Sequence, residues 1–403
     1  MKREEPMSLR QSPALAAALL ALVAVAPAAA QDEAAPRSCR DTAPFQPMTY
    51  RSVEPQDDGR VTFRLCAPDA SAVKVVSNDL DPWVPAGFTG GQRGLPMVRD
   101  ASGLWSVTTA LPVPADTYRY NFEIDGAKVP DPMAFTFSRE RTGVNSVLEV
   151  PGEAGAFQTF RENVPHGVVS RVEYVSSTLG TVREAFVYTP PGYMNGSESY
   201  PVLYLVHGAG DSADSWTNVG HANYIADNLI AAGEAVPMII VMPFGHTPPR
   251  TGATMLANPD FGSDLTEDLV PFVDANFRTL PDADHRAMAG LSMGGAHTLN
   301  FGVTRPDLFG EVGVFSMGLG FDDPREVSAF AARNAEALAA RAAMAEPVYY
   351  AMGTDDFLYA SAAPTLAMLA EAGVATHYNE SDGGHTWINW RRYLADFLPR
   401  LFD

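Results

Sequence analysis

Three short stretches carry residue types that together can open a carbonyl bond. The first, Ala289-Gly290-Leu291-Ser292-Met293-Gly294-Gly295, sets a serine between glycines two positions before and two after it. A sharp strand-to-helix turn could present that hydroxyl as a nucleophile. The glycines would then admit neighbouring backbone where a Cβ collides, and the following helix would aim its first amides at a developing oxyanion. The second stretch, Gly353-Thr354-Asp355-Asp356, offers a carboxylate, with Asp356 preferred and Asp355 the alternate. The third, Asp382-Gly383-Gly384-His385-Thr386-Trp387, offers an imidazole on a glycine-rich loop. A serine hydroxyl is a poor nucleophile until a base takes its proton, and an acid must hold that base in one tautomer.

The other histidines fit the role of base less well. His207 lies in a tight turn, His297 in the helix after Ser292, and His377 within a strand; His166, His221 and His285 lack a partner pattern. An oxyanion hole needs two backbone N–H groups. One is expected from Met293, next to the nucleophile. The other is expected from the turn His207-Gly208-Ala209-Gly210, with Ala209 first and Gly210 as the alternate. Trp216, Phe244, His246 and Trp387 are candidates to line a substrate pocket, Trp387 foremost because it follows the proposed base by two residues. Trp390 reads equally well as helix packing. No His-Glu-x-x-His pattern or phosphate loop occurs, so neither metal nor cofactor is expected, and the chemistry requires none.

The elements that must carry these groups alternate between strand and helix. Continuous apolar runs at 202–206, 236–242, 312–315 and 348–352 read as strands buried on both faces. Helical patterns fall at 221–232, around Leu265, Leu269, Phe272, Val273 and Phe277, at 324–344 and at 364–371. A strand at 374–379 and a helix from 388 finish the chain, while 171–176 and 182–189 form an opening hairpin. Such alternation marks a parallel-sheet α/β domain. It sets the acid and the base at the carboxyl ends of strands, where open sheets build their sites. The chain order serine, acid, histidine is that of α/β-hydrolases.

Residues 1–30 read as an export signal: Arg3 and Arg10 precede an apolar run at 14–26, and Ala28-Ala29-Ala30 offers a cleavage site. The mature protein is therefore expected in the periplasm or outside the cell, with no membrane span once the signal is removed. A leader at 31–44 follows, then an all-β segment at 45–150, a linker at 151–166 and the α/β domain at 167–403. An oxidising compartment tolerates disulfides, and Cys39 and Cys66 could pair or stay free. A net charge of −20 argues against nucleic-acid binding, which depends on Lys and Arg. Oligomeric state is left open.

Within the β segment, Phe63-Arg64-Leu65-Cys66-Ala67-Pro68, Gly103-Leu104-Trp105, Tyr118-Arg119-Tyr120-Asn121-Phe122 and Asp131-Pro132 resemble the isoamylase-type early-set domain, grouped with carbohydrate-binding module family 48. Trp83 is the better candidate there for sugar contact, and Trp105 reads as core. Further on, the resemblance is to the esterase D family, or carbohydrate esterase family 1. It is carried by His207-Gly208-Ala209-Gly210 with Trp216, Pro243-Phe244-Gly245-His246, Gly290-Leu291-Ser292-Met293-Gly294-Gly295, Gly353-Thr354-Asp355-Asp356 and Gly384-His385-Thr386-Trp387. That family's Gly-Thr-x-Asp pattern falls on Asp356. The resemblance implies an α/β-hydrolase fold behind a small immunoglobulin-like β-sandwich. It also implies a serine esterase acting on carbohydrate-linked esters, feruloyl or acetyl groups of xylan above all. The alternatives are an enterochelin-type siderophore esterase, for which Arg250, Arg391 and Arg392 are the few cationic candidates, and a non-catalytic glycan-binding protein. An acyltransferase also remains open.

Overall fold

The computed structural model describes residues 38–40, 48–87, 91–249, 258–321 and 323–402. The export segment at 1–30, most of the leader at 31–44, and Arg250 lie outside these residues.

Alternating side chains build the N-terminal sandwich. In the strand Val61–Cys66, Val61, Phe63 and Leu65 turn inward. This strand pairs antiparallel with Val53–Pro55 and Leu104–Thr108, and Val98–Arg99 completes a four-stranded sheet. A second, six-stranded sheet forms around Asp116–Ile124, flanked by Val73–Val76 and Gly143–Val150, with Phe137–Glu140 at one edge. Their inner faces close on Phe63, Val75, Tyr118, Tyr120, Phe122 and Leu148. Trp105 is core as expected, its indole N–H donating to Ala67 O at 2.8 Å. Trp83 rests half-buried on the same core rather than standing free. Cys39 and Cys66 form a disulfide that ties residues 38–40 to this sandwich.

Residues 151–166 are ordered against the α/β domain. Asn228 donates to Phe157 O and Thr159 O, and the His221 ring meets Gln158 O. Beyond them lies an eight-stranded sheet: β1 (Val168–Ser176), β2 (Thr181–Thr189), β3 (Val202–Val206), β4 (Ile239–Pro243), β5 (Arg286–Leu291), β6 (Glu311–Phe315), β7 (Val348–Gly353) and β8 (Thr376–Ser381). The spatial order is β1-β2-β4-β3-β5-β6-β7-β8. The first two strands pair antiparallel, β2 lies antiparallel to β4, and every other neighbour is parallel. Strands β3 to β7 are buried throughout, which is why they read as unbroken apolar runs. One face is covered by the helices Ala222–Ala232 and Trp387–Phe397. The other is covered by helices within 259–276, 293–303, 325–342 and 362–371.

Several elements depart from the sequence reading; β1 begins at Val168 rather than 171 and β4 at Ile239 rather than 236. The Ala-rich pattern at 324–344 is two helices, Arg325–Arg333 and Ala335–Ala342. Asn334 leaves helical geometry between them, and its side-chain amide joins its own backbone N–H on Phe330 O, at 2.9 and 3.0 Å, capping the first helix. The last strand starts at Thr376 rather than 374, because Gly373 turns left-handed and Val374 N–H closes back onto Leu369 O. Among the described residues no helix is long and apolar enough to cross a membrane.

Candidate functional site

Ser292 sits between β5 and the helix that follows, with φ 51° and ψ −115°. A side chain holds such a backbone only when its surroundings force it. Its N–H donates to Phe315 O at the end of β6, 2.9 Å away. A Cβ on Gly290 would come within 2.5 Å of Gly294 backbone, and one on Gly294 within 2.3 Å of Val206 O. The glycine spacing thus reflects two backbone crossings, one inside the turn and one against β3. The residue stays partly open to solvent.

The loops after β7 and β8 are zipped together. Thr354 N–H donates to Ser381 O and Asp355 N–H to Gly383 O, both at 2.9 Å. Gly383 has a φ of 87°, and Asn389 fills the space a Cβ would need while donating to Asp382 O at 2.7 Å. This framing brings His385 Nδ1 to 2.9 and 3.0 Å from the two oxygens of Asp356. Asp356 is buried and Asp355 is exposed, so only Asp356 meets the ring. The opposite side of the site joins through Trp390. Its indole donates to Ser316 Oγ at 3.0 Å, and its edge meets the His385 ring with centroids 5.0 Å apart. Ser316 follows Phe315, the partner of Ser292 N–H. The serine, imidazole and carboxylate loops therefore share one rim of the sheet.

The turn after β3 lies against this rim, since a Cβ on Gly208 would stand 3.6 Å from Ser292 Cβ. His207 fixes the turn. Its Nε2 accepts from Gly245 N–H at 2.9 Å, so Nδ1 bears the proton and donates to Gly208 O at 2.8 Å. Burial pushes this imidazole down to about 3, which keeps it neutral. His297 holds the same Gly245 from the other side, its Nε2 3.1 Å from the carbonyl, and burial pushes it down to about 4. Both histidines bind the backbone that frames the site. Ala209 is partly exposed at the tip of the turn, Gly210 is exposed beside it, and Met293 is buried next to Ser292.

The substrate-lining expectations need correction. Trp216 and Trp387 are 0% and 1% exposed and meet edge-to-face at 5.1 Å. They pack together between the sheet and the last helix, in the core rather than on an open pocket wall. Phe244 and His246 line a cavity of about 410 Å³ with Arg141, Arg183 and Glu184, a lining that does not include Ser292 or His385. Burial first, then the Arg141 charge, pushes His246 down to about 4. Arg391 is buried against Asp116 of the β-domain and is not available to an anionic ligand, whereas Arg392 also reaches Asp116 but stays half exposed.

Two aromatic residues were not anticipated. Phe357 is 64% exposed with its ring 4.5 Å from His385, and Phe321, 49% exposed, meets it edge-on at 6.0 Å. The sequence signal for Phe357 was its position directly after Asp356; for Phe321 there was none.

A sheet of this order, with a serine turn after β5, a carboxylate after β7 and an imidazole after β8, defines an α/β-hydrolase. The family model Esterase matches residues 176–401, more than half of the chain, and the chain belongs to that family. It is 32% identical over 360 residues to the endo-1,4-beta-xylanase/feruloyl esterase of Xylanibacter ruminicola, covering 86% of this chain and 45% of that protein. Similarity to endo-1,4-beta-xylanase Y of Acetivibrio thermocellus is 26% over 245 residues, covering 54% and 21%. The chain thus spans less than half the length of both relatives. Among solved structures, a ferulic acid esterase at 26% identity superposes with a TM-score of 0.51, over 58% of this chain and 97% of that one. An enterobactin esterase from Shigella flexneri, at 19% identity, has the same fold over 84% of this chain and 92% of its own, with a TM-score of 0.59.

Proposed function

We propose that the protein is a serine esterase of carbohydrate-linked carboxylic esters, feruloyl esters of xylan first and acetyl esters second. The observation that carries the reading is the pairing of His385 with buried Asp356 on the rim that bears Ser292. The feruloyl esterase named among the relatives supports the substrate class. The apolar segment at 1–30 accords with export toward a polymer too large to enter a cell.

Ser292 Oγ attacks the ester carbonyl while its proton passes to His385 Nε2. The negative oxygen of the tetrahedral intermediate accepts hydrogen bonds from the backbone N–H groups of Met293 and Ala209. Collapse breaks the ester C–O bond, and the departing alcohol takes the proton from His385. Water then gives its proton to His385 and attacks the acyl-enzyme, and the acid leaves as Ser292 recovers its proton. Asp356 holds the imidazole and stabilises it when charged.

A catechol trilactone is the second reading, carried by Arg141 at the Phe244–His246 cavity. One purified sample tested on methyl ferulate, acetylated xylan, a p-nitrophenyl ester and a catechol trilactone separates the readings. The highest kcat/KM is expected on methyl ferulate. Preference for the trilactone would replace the substrate assignment, and no turnover on any ester would leave a glycan-binding protein.

A further inference from the structure

We propose that the N-terminal β-domain completes the esterase site, with Arg119 a positioning residue that holds the turn at 208–210. The proposal rests on the reading of Ala209 as an oxyanion donor. Arg119 lies on the β-domain strand Asp116–Ile124. Its Nε and Nη2 bind the two oxygens of Asp79 at 2.9 and 3.0 Å, and its Nη1 reaches across to Asp211 Oδ1 at 2.7 Å. Asp211 closes the turn, since its N–H donates to Gly208 O at 3.1 Å. Its other oxygen stands 3.0 Å from where a Gly208 Cβ would lie. The guanidinium also rests 5.8 Å from the Trp387 ring, two residues beyond the proposed base.

The β-domain grips the same loop at further points. Arg141 N–H donates to Gly210 O at 3.0 Å, and Glu140 forms a β-bridge with Asp211. Arg139 pairs with Asp214 at 3.1 Å, and Asn218 donates to Phe137 O at 2.8 Å. Asp116 takes Arg391, on the helix that follows His385. The oxyanion turn and the base helix are thus both fastened to one strand of the other domain.

Electrostatics explain why an arginine stands there. Asp79 and Asp211 are both nearly enclosed, and burial raises the Asp211 carboxyl even with the guanidinium beside it. The guanidinium fixes the Asp211 carboxylate in place, and with it the turn that Asp211 closes. One planar fork pairs with and orients both carboxylates at once, which a lysine ammonium cannot do.

The test uses the full chain and p-nitrophenyl acetate, which has no sugar, so a lost glycan contact cannot mimic the effect. Arg119→Lys and Asp211→Asn are expected to fold and to lower kcat by roughly 10–100-fold, short of the loss from deleting a donor outright. KM is expected to stay within about threefold, because the interaction acts on the transition state. Affinity for a trifluoromethyl ketone, which forms a tetrahedral adduct on serine, is expected to fall by the same factor as kcat. Arg60→Ala, at an exposed β-domain ion pair with Asp58, is expected to change neither. If Arg119→Lys fails to fold, Asp211→Asn decides alone. A folded Asp211→Asn with unchanged kcat and ketone affinity overturns the proposal. Turnover surviving in Ser292→Ala would instead overturn the esterase mechanism beneath it.

Discussion

His385 presents Nδ1 to both oxygens of Asp356, at 2.9 and 3.0 Å, while Asp355 next door stays in solvent. Donation from Nδ1 leaves Nε2 of the neutral ring free of a proton and able to accept one. Asp356→Asn is therefore expected to trap the wrong tautomer and lower kcat by about 10³–10⁴-fold with the fold intact. Asp355→Asn should leave kcat within a few-fold. Equal losses in the two variants, measured on a soluble ester, would remove Asp356 from its assigned role.

The glycines make a stability prediction with an internal control. A methyl group on Gly294 would press 2.3 Å from Val206 O and 2.9 Å from His207 O, whereas Gly210 has nothing within 4 Å of that position. Gly294→Ala is expected to cost more than about 3 kcal/mol, as misfitted backbone crossings do. Gly210→Ala should change stability by less than about 0.5 kcal/mol. Urea midpoints of the two variants check this, and similar midpoints would mean the turn is looser than described.

Phe357 and Phe321 form an exposed aromatic wall beside the proposed base. Phe357→Ala is expected to raise KM about tenfold for methyl ferulate, whose ring could stack there, and to leave KM for p-nitrophenyl acetate unchanged. Stability should stay within about 0.5 kcal/mol, because the side chain is mostly in water. Equal KM changes on both esters would assign Phe357 to positioning His385 instead.

Acid should unfold this protein early. Burial holds His207 at about 3 and His297 at about 4, well below the 6.5 of an unfolded imidazole. Below pH 6.5 the unfolded chain takes up protons that these two rings refuse. Their stabilisation is complete above 6.5 and is lost as pH falls toward 4, at up to about 1.4 kcal/mol per pH unit for each ring. Asp211, Asp214 and Glu149, raised by burial, run the other way, while His221 and His246, both pushed down to about 4 by burial, add to the loss. Urea unfolding at pH 7, 6 and 5 should show a steep fall, and His297→Gln should flatten it. A curve that is level or rises toward acid would contradict this.

What could be read along the chain was local. The Gly290-Leu291-Ser292-Met293-Gly294 turn announces itself because its collisions involve residues close in sequence, with β3 as the one distant partner. Buried parallel strands are legible because nothing polar is tolerated on either face. The burial of Trp216 and Trp387 is not legible along the chain, because it is decided by which helix lands on which strand, and an indole near a catalytic loop looks the same in either case. Arg119 was invisible as a site residue: its partner Asp211 is 92 positions away and belongs to the other domain. Arg391 misled for the same reason, its carboxylate lying 275 positions back.

The central claim is that Ser292 becomes acylated with His385 as its base. Intact-protein and peptide mass spectrometry after brief exposure to a fluorophosphonate tests it most directly. One adduct per chain is predicted, on the peptide that contains Ser292, absent from Ser292→Ala and formed at least about 10³-fold more slowly in His385→Ala. An adduct on another residue, or labelling at full speed without His385, would contradict the account.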